Sequence, residues 1–390
     1  MKLSKLLKAL PNVRSASSGE AIEIMDVTDD SRKVSTGTLF VCVDGHVTDG
    51  HDYAEEAVKN GAVAIIAERQ LEASVPVVYV RDTRKAVAML AAKFFSYPTK
   101  TLPVIGVTGT NGKTTVTYLL EAIFSEYGMK TGVIGTIQLK IGSQTEPIEN
   151  TTPNALFLQK TFRRMLLEGV DVVIMEVSSH ALDMGRVYGT EFLTTIYTNI
   201  SQDHLDYHKT MTEYLHAKSL LFSQMGNQYD VNTHKYAILN HDDSSADLMR
   251  KSTAQPVMTY GTHTPCDVRA KNIQVEAGGT SFTLETENQS VHIHTRMLGY
   301  FNVYNMLAAS SAALAHQVPI AYIKKALEGM RGVVGRFEQV EAGQSFSVIV
   351  DYAHTPDSLL NVLQTIKQFV KGIRMLWSGV VEIEIGQNGH

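Results

Sequence analysis

The sequence predicts an α/β protein of two or three domains, built around a mainly parallel sheet. Three observations carry this. An apolar run, Val104 to Thr108, opens into Gly109-Thr-Asn-Gly-Lys-Thr-Thr115 and then into a helical stretch. Short apolar runs alternate with stretches of helical periodicity, the pattern of parallel strands joined by crossover helices. At roughly 150 residues per domain, 390 residues need more than one core. With 44% apolar and 19% charged residues, a disordered chain is excluded. The net charge of −5, without a basic run, argues against a nucleic-acid surface. Only Cys42 and Cys266 are present, too few for a disulfide framework, and they fit a reducing cytoplasm.

The N-terminal Met-Lys-Leu-Ser-Lys-Leu-Leu-Lys spaces lysines through leucines, which predicts a short amphipathic helix rather than a signal peptide. No apolar run is long enough to span a membrane, so no membrane partner is expected. Thr38 to Val43 is a strand ending at the turn Asp44-Gly45, and Ala54 to Lys59 is helical. Ala62 to Ile66 and Val77 to Val80 are strands, and Thr83 to Phe95 is a helix. Tyr97-Pro98 and Leu102-Pro103 then break the pattern and place a domain boundary near residue 100. After the glycine-rich loop a helix runs to about Tyr127, followed by strands at Val133 to Thr136, Val172 to Glu176, Thr194 to Thr198 and Ala237 to Asn240. Residues 265–297 read as a small antiparallel insert, with Ser281 to Leu284 and Val291 to His294 alternating. Asn302 to Ala315 and Ile320 to Met330 are helical, and a strand-like run from Ser345 to Val350 begins a third domain.

Gly109, Thr110, Asn111, Gly112, Lys113, Thr114 and Thr115 form the strongest motif. Glycines let backbone N–H groups approach phosphate oxygens, and the following helix adds its favourable dipole. Lys113 reaches the terminal phosphates and the Thr114 hydroxyl suits Mg²⁺. Val107 stands where the general pattern has its first glycine. A glycine-rich turn with a solvated lysine is the bland alternative, and the strand-loop-helix context disfavours it.

This variant resembles the Mur ligase and folylpolyglutamate synthetase superfamily. Glu176-Val-Ser-Ser-His180, Asn199-Ile-Ser-Gln-Asp-His-Leu-Asp206, Gly299-Tyr-Phe-Asn-Val-Tyr-Asn305, Gly335-Arg-Phe-Glu338 and Asp351-Tyr-Ala-His-Thr-Pro356 follow in the family's order. Asp30-Ser-Arg-Lys33 and Asp49-Gly-His51 resemble the uridine-nucleotide domain of the members that add the third residue of the peptidoglycan stem. The resemblance implies a three-domain Mur ligase architecture: a UDP-sugar domain at 1–100, a central ATP-binding domain at 101–333 and the start of an amino-acid-binding domain at 334–390. It implies a monomeric cytoplasmic enzyme using ATP and Mg²⁺. This enzyme joins UDP-MurNAc-L-Ala-D-Glu to meso-diaminopimelate or L-lysine through an acyl phosphate.

The resemblance also implies roles residue by residue. Lys113 holds phosphates, Thr114 and Glu176 ligate one Mg²⁺, and His204 and a carbamylated Lys218 serve a second. Asn302, Asn305, Arg336 and Asp351 contact ATP, whereas Ser31, Thr151, Thr152, Ser178 and Arg186 contact the nucleotide-sugar peptide. Simpler readings stand beside these. Lys218 could be a solvated helix lysine and each asparagine a helix cap. His204, His208 and His216 could suggest zinc, but no cysteine or zincin-type acidic motif accompanies them. No G-x-S-x-G elbow surrounds Ser178 or Ser179, which disfavours Ser-His chemistry at His180.

Beyond Met375 the resemblance stops, so the third domain is expected to be incomplete. Suitable synonymous codons for Ser378 to His390, read from each third base, spell G-C-G-G-D-R-D-R-T-K-R-P, a string that resembles the family's third-domain motif. A frameshift near Met375 is therefore expected, and the choice between diaminopimelate and lysine is not legible. Two other readings compete: a folylpolyglutamate synthetase-like ligase, disfavoured by residues 1–100, and a non-catalytic remnant that binds nucleotide or UDP-sugar only.

Overall fold

Strand pairing divides the computed structural model into three sheets. It describes every residue except 12, 14–20, 46–47, 230–233, 264, 277, 341, 345, 370–374 and 376–390. The reading of the tail from Ser378 to His390 therefore lies outside the described residues, as does Ser345.

The first sheet is wholly parallel, in the order Asp26–Thr28, Thr38–Val41, Ala62–Ala67 and Val77–Tyr79. Parallel pairing buries both faces, so Leu39 to Val41 and Ala62 to Ala67 are continuous apolar runs rather than alternating ones. Helix Thr83–Phe94 starts at Asp82, whose carboxylate accepts a hydrogen bond from Lys85 N–H at 2.9 Å. The N-terminal helix is short, Leu3–Leu7, and buries Leu3 and Leu6 against Val27, Leu39, Val41 and Leu90. Ser96 and Tyr97, with φ of 65° and 52°, then turn the chain into Pro98.

The middle sheet has eleven strands and is anchored by Val104–Thr108, lying between Val172–Glu176 and Thr194–Tyr197. Its centre is parallel. Thr131–Ile134 pairs with Val172–Glu176 on one side, and Tyr236–Asn240 and Val257–Gly261 extend it on the other. Helices Lys113–Glu126 and Tyr300–Ala315 cover one face, where Val116, Leu119, Leu120 and Ile123 meet Ile105, Val107, Leu307 and Ala308. Leu158, Phe162, Val173, Met175, Tyr197 and Phe222 fill the other face.

The segment expected as a separate insert is antiparallel but continues this sheet. Val268–Glu276 joins Val257–Gly261 in parallel through two residue pairs, Tyr260 with Val268 and Gly261 with Arg269. Gly279–Thr286 and Ser290–Thr295 follow in antiparallel register. So short a splice carries no signal in hydrophobic periodicity. The third sheet pairs Glu338–Val340 with Val348–Val350, and helix Pro356–Phe369 follows. Among the described residues no helix is long and apolar enough to cross a membrane.

Candidate active site

The C-terminal ends of the parallel strands open into a cavity of about 690 Å³ shared by the middle and third units. Ligand crevices of open α/β sheets lie at this edge. The loop from Gly109 to Gly112 wraps from the end of its strand into the helix beginning at Lys113. Gly112 adopts φ 89° as the helix N-cap, and a Cβ there would collide with Asn305 Oδ1. A Cβ on Gly109 would collide with Thr198 Oγ1, so both glycines are required by close approach.

The loop is held from outside its own motif. Thr110 N–H donates to Asn199 O at 2.9 Å and Asn111 N–H to Asn199 Oδ1 at 3.0 Å. Thr198 Oγ1 donates to Asn111 O at 2.6 Å. From the third unit, Asp357 accepts from Asn111 Nδ2 at 3.0 Å. Lys113 Nζ folds back to Gly109 O and Thr110 O, at 2.9 and 2.8 Å. Burial lowers its pKa against the opposing pull of Glu176.

Glu176, at the end of its strand, is 1% exposed. Its Oε2 accepts from Thr114 Oγ1 at 3.0 Å and Thr136 Oγ1 at 3.1 Å, while Oε1 accepts from Thr136 N–H at 2.8 Å. Arg336 reaches across from the third unit and donates to Thr114 Oγ1 at 3.1 Å. Its guanidinium also lies 4.7 Å from the ring centre of Tyr352. Asp351 accepts from Phe337 N–H at 2.6 Å, and burial raises its pKa.

On the opposite flank, Thr152 Oγ1 donates to Glu176 O at 2.9 Å and accepts from Ser178 N–H at 3.0 Å. Ser178 Oγ caps the next turn by accepting from Ala181 N–H at 3.2 Å, and Arg186 donates to Thr152 O at 3.2 Å. Thr151 Oγ1 lies 3.1 Å from Thr136 Oγ1.

Lys218 is placed behind the loop rather than in solvent, 1% exposed, with Nζ donating to Gly109 O at 2.8 Å and 4.4 Å from the Tyr214 ring centre. Burial and the neighbouring Lys113 charge drive its pKa well below the ordinary lysine value. His204 precedes the short helix Leu205–His208 with φ 53°, its Nε2 3.4 Å from Asp203. His208 instead bonds Ser179 Oγ at 2.9 Å. His180 packs against both rings, and burial lowers its pKa to about 4.

Neither asparagine caps its helix, because Gly299 holds that position. Asn302 is buried and donates to Leu298 O, while Asn305 donates to Asn302 Oδ1 and lines the cavity. Ser31 stands apart in the first unit, its carbonyl accepting from Asn60 Nδ2 at 3.3 Å. The loop that carries it touches the middle unit where Asn154 Nδ2 donates to Asp29 at 3.4 Å. Thr136, Asp203, Tyr352 and Asp357 also line the cavity without having been singled out in the sequence. Asp203 and Tyr352 lie inside quoted motifs and Asp357 one residue beyond Asp351-Tyr-Ala-His-Thr-Pro356, whereas Thr136 carried no signal.

Three family descriptions match the chain: "Mur ligase family, catalytic domain" over residues 23–95, "Mur ligase middle domain" over 107–313 and "Mur ligase, glutamate ligase domain" over 335–380. The UDP-N-acetylmuramoyl-L-alanyl-D-glutamate--2,6-diaminopimelate ligase of Oceanobacillus iheyensis is 56% identical, covering 95% of this chain and 76% of its own. The protein of the same name from Listeria innocua is 52% identical, with 95% and 75% covered. A solved structure of a UDP-N-acetylmuramoyl-L-alanyl-D-glutamate--2,6-diaminopimelate ligase superposes with a TM-score of 0.81 at 31% identity, covering 95% of this chain and 75% of that one.

Proposed function

This chain belongs to the Mur ligase family, and on that premise we propose that it is an ATP-dependent acid–amino-acid ligase of peptidoglycan synthesis. Its substrates would be UDP-MurNAc-L-Ala-D-Glu and 2,6-diaminopimelate, the amino acid in its relatives' names. The observation that carries this is the junction at Thr114. There the phosphate loop, the Glu176 carboxylate and Arg336 of the third unit converge within hydrogen-bond distance.

The chemistry asks for that convergence. The D-glutamate side-chain carboxylate attacks the terminal phosphorus of ATP, giving an acyl phosphate and ADP. The amine then attacks the acyl carbon, the C–N bond forms and phosphate leaves. Two anions must meet in the first step, so cationic and N–H groups have to be in place beforehand. Lys113, Arg336 and the loop N–H groups would supply them on the ATP side. Arg186, beside Thr152, would hold an anionic group of the acceptor. By this reading Asn305 and Asp351 face the nucleoside, Asn302 fixes Asn305, and Ser31 meets the uridine.

Mg²⁺ fits the donors present. Thr114 and Glu176 offer hard oxygen atoms, as that cation prefers. Among the described residues no group of three or more His, Cys, Asp or Glu side chains is arranged as a complete metal cage. Thr114 and Glu176 would hold one ion, and His204 with carbamylated Lys218 a second. Bound there, Mg²⁺ would neutralise charge between phosphate and carboxylate. Carbamylation needs a neutral amine, and the buried Lys218 beside Lys113 is poised to lose its proton.

The test is incubation of the chain with ATP, Mg²⁺, UDP-MurNAc-L-Ala-D-Glu and either amino acid, followed by mass spectrometry. Expected are binding of the nucleotide dipeptide and nucleotide-dipeptide-dependent ADP. Failure both to bind the nucleotide dipeptide and to turn over ATP in its presence would overturn the reading.

A further inference from the structure

We propose that Thr136 is a positioning residue for this reaction, its hydroxyl fixing the direction of a hydrogen-bond chain from Thr151 to Glu176. This rests on the functional reading above. Strand Thr131–Ile134 lies parallel to Val172–Glu176, with Ile134 opposite Met175. That register brings Thr136, two residues past the strand, level with the Glu176 carboxylate. A Cβ on Gly135 would fall on Glu176 Oε1, so the approach depends on glycine there. Thr136 N–H and Oγ1 then engage the two carboxylate oxygens at 2.8 and 3.1 Å, and Oγ1 also lies 3.1 Å from Thr151 Oγ1.

A threonine hydroxyl has one proton to give, and a carboxylate has none. The Thr136 proton therefore goes to Glu176, and Thr151 must spend its own proton on Thr136. On the other side, the Arg336 guanidinium can only donate. It donates to Thr114, which donates to Glu176 Oε2. Glu176 is thus the terminus of two directed chains, one from the phosphate loop and one from the Thr151 loop.

The consequence concerns recognition. With its proton committed, Thr151 offers the substrate only lone pairs, so the group it meets must be an N–H or O–H donor. The amide N–H groups of UDP-MurNAc-L-Ala-D-Glu are of that class, and its carboxylates are not. Arg186 is left to take the latter.

The experiment compares Thr136→Val, which keeps shape and N–H but removes the hydroxyl, with Thr136→Ser, which restores it. Affinity for UDP-MurNAc-L-Ala-D-Glu is measured by calorimetry without ATP, alongside the melting temperature. Thr136→Val should bind about ten-fold more weakly, the scale of one misdirected hydrogen bond between Thr151 and the substrate. Thr136→Ser should return to near wild-type affinity and melting, whereas Thr136→Val should melt a few degrees lower because the buried Glu176 loses one hydrogen bond. Thr151→Val should weaken binding similarly, and the double valine variant no further than either single one, because both cut the same chain. Unchanged affinity in Thr136→Val, no rescue by serine, or additive losses would overturn the role of Thr136. If the wild-type chain does not bind the nucleotide dipeptide, the functional reading itself falls, and this role with it.

Discussion

Gly112→Ala is the sharpest probe of the phosphate loop, because its cost can be worked from the backbone. Gly112 holds φ 89° and ψ −15°, a left-handed conformation that costs an L-residue about 1–2 kcal/mol. The new methyl would also strike Asn305 Oδ1 and push that amide off Asn302, a buried bond of 3.1 Å. Losing that bond costs about 1 kcal/mol more. If the loop keeps its shape, a total of about 2–3 kcal/mol leaves stability and melting falls by about 5–10 °C. If the loop relaxes instead, its N–H groups turn away from the phosphates. Each 1.4 kcal/mol of misfit then weakens ATP about ten-fold. Calorimetric ATP titration and thermal denaturation of the same variant separate the two routes. Wild-type ATP affinity together with wild-type melting would refute the claim that this glycine is required by geometry.

Lys113→Met should abolish ATP binding, with a fall in melting because Gly109 O and Thr110 O each lose a hydrogen bond. Undiminished ATP affinity would remove the phosphate-loop assignment. Lys218 should gain the mass of one carboxyl group when CO₂ is present. Lys218→Ala should lose ligation activity that short added carboxylates partly restore, and unaltered turnover would dismiss the carbamate. His316 packs beside Phe124 and bonds Thr194 Oγ1 at 2.8 Å, and burial lowers its pKa to about 4. The unfolded imidazole takes its proton near 6.5, so this contribution is whole above that pH and is lost as pH falls towards 4. The full loss is about 3 kcal/mol. His316→Gln should flatten that limb of a stability–pH curve, and an unchanged limb would place the titration elsewhere.

Legibility in the sequence tracked how locally each feature is encoded. The phosphate loop is contiguous, and its strand and helix declare themselves by apolar spacing, so Gly109 to Thr115 could be placed without the fold. Glu176 was readable for the same reason, since an acidic residue closing an apolar run emerges at a sheet edge. Thr136 was not. Its relation to Glu176 exists only through the register of two strands separated by a hairpin and a helix, and an isolated Gly-Thr carries no such information. Lys218 looks like any helix lysine until its helix packs Nζ against Gly109 O. The helix-cap reading of Asn302 and Asn305 failed because Gly299, three residues earlier than Asn302, begins the helix. Propensity gave a plausible role, and tertiary contact with Gly112 supplied another. Val257–Gly261 and its splice to Val268–Glu276 depend on two backbone pairings that side-chain periodicity does not report.

That splice has a consequence for motion. Two residue pairs are a weak seam, so backbone hydrogen bonds alone hold the antiparallel strands poorly to the parallel sheet. Side chains do the fastening instead. Phe282, Leu284 and Ile293 share one core with Leu119, Leu120 and Ile123 of the helix that presents Lys113. Opening of the hairpins and loosening of that helix therefore draw on the same buried surface, and the two should fluctuate as one cooperative unit. Amides in Gly279–Thr286, far from the phosphate loop, would then exchange with deuterium more slowly whenever nucleotide stiffens Lys113–Glu126.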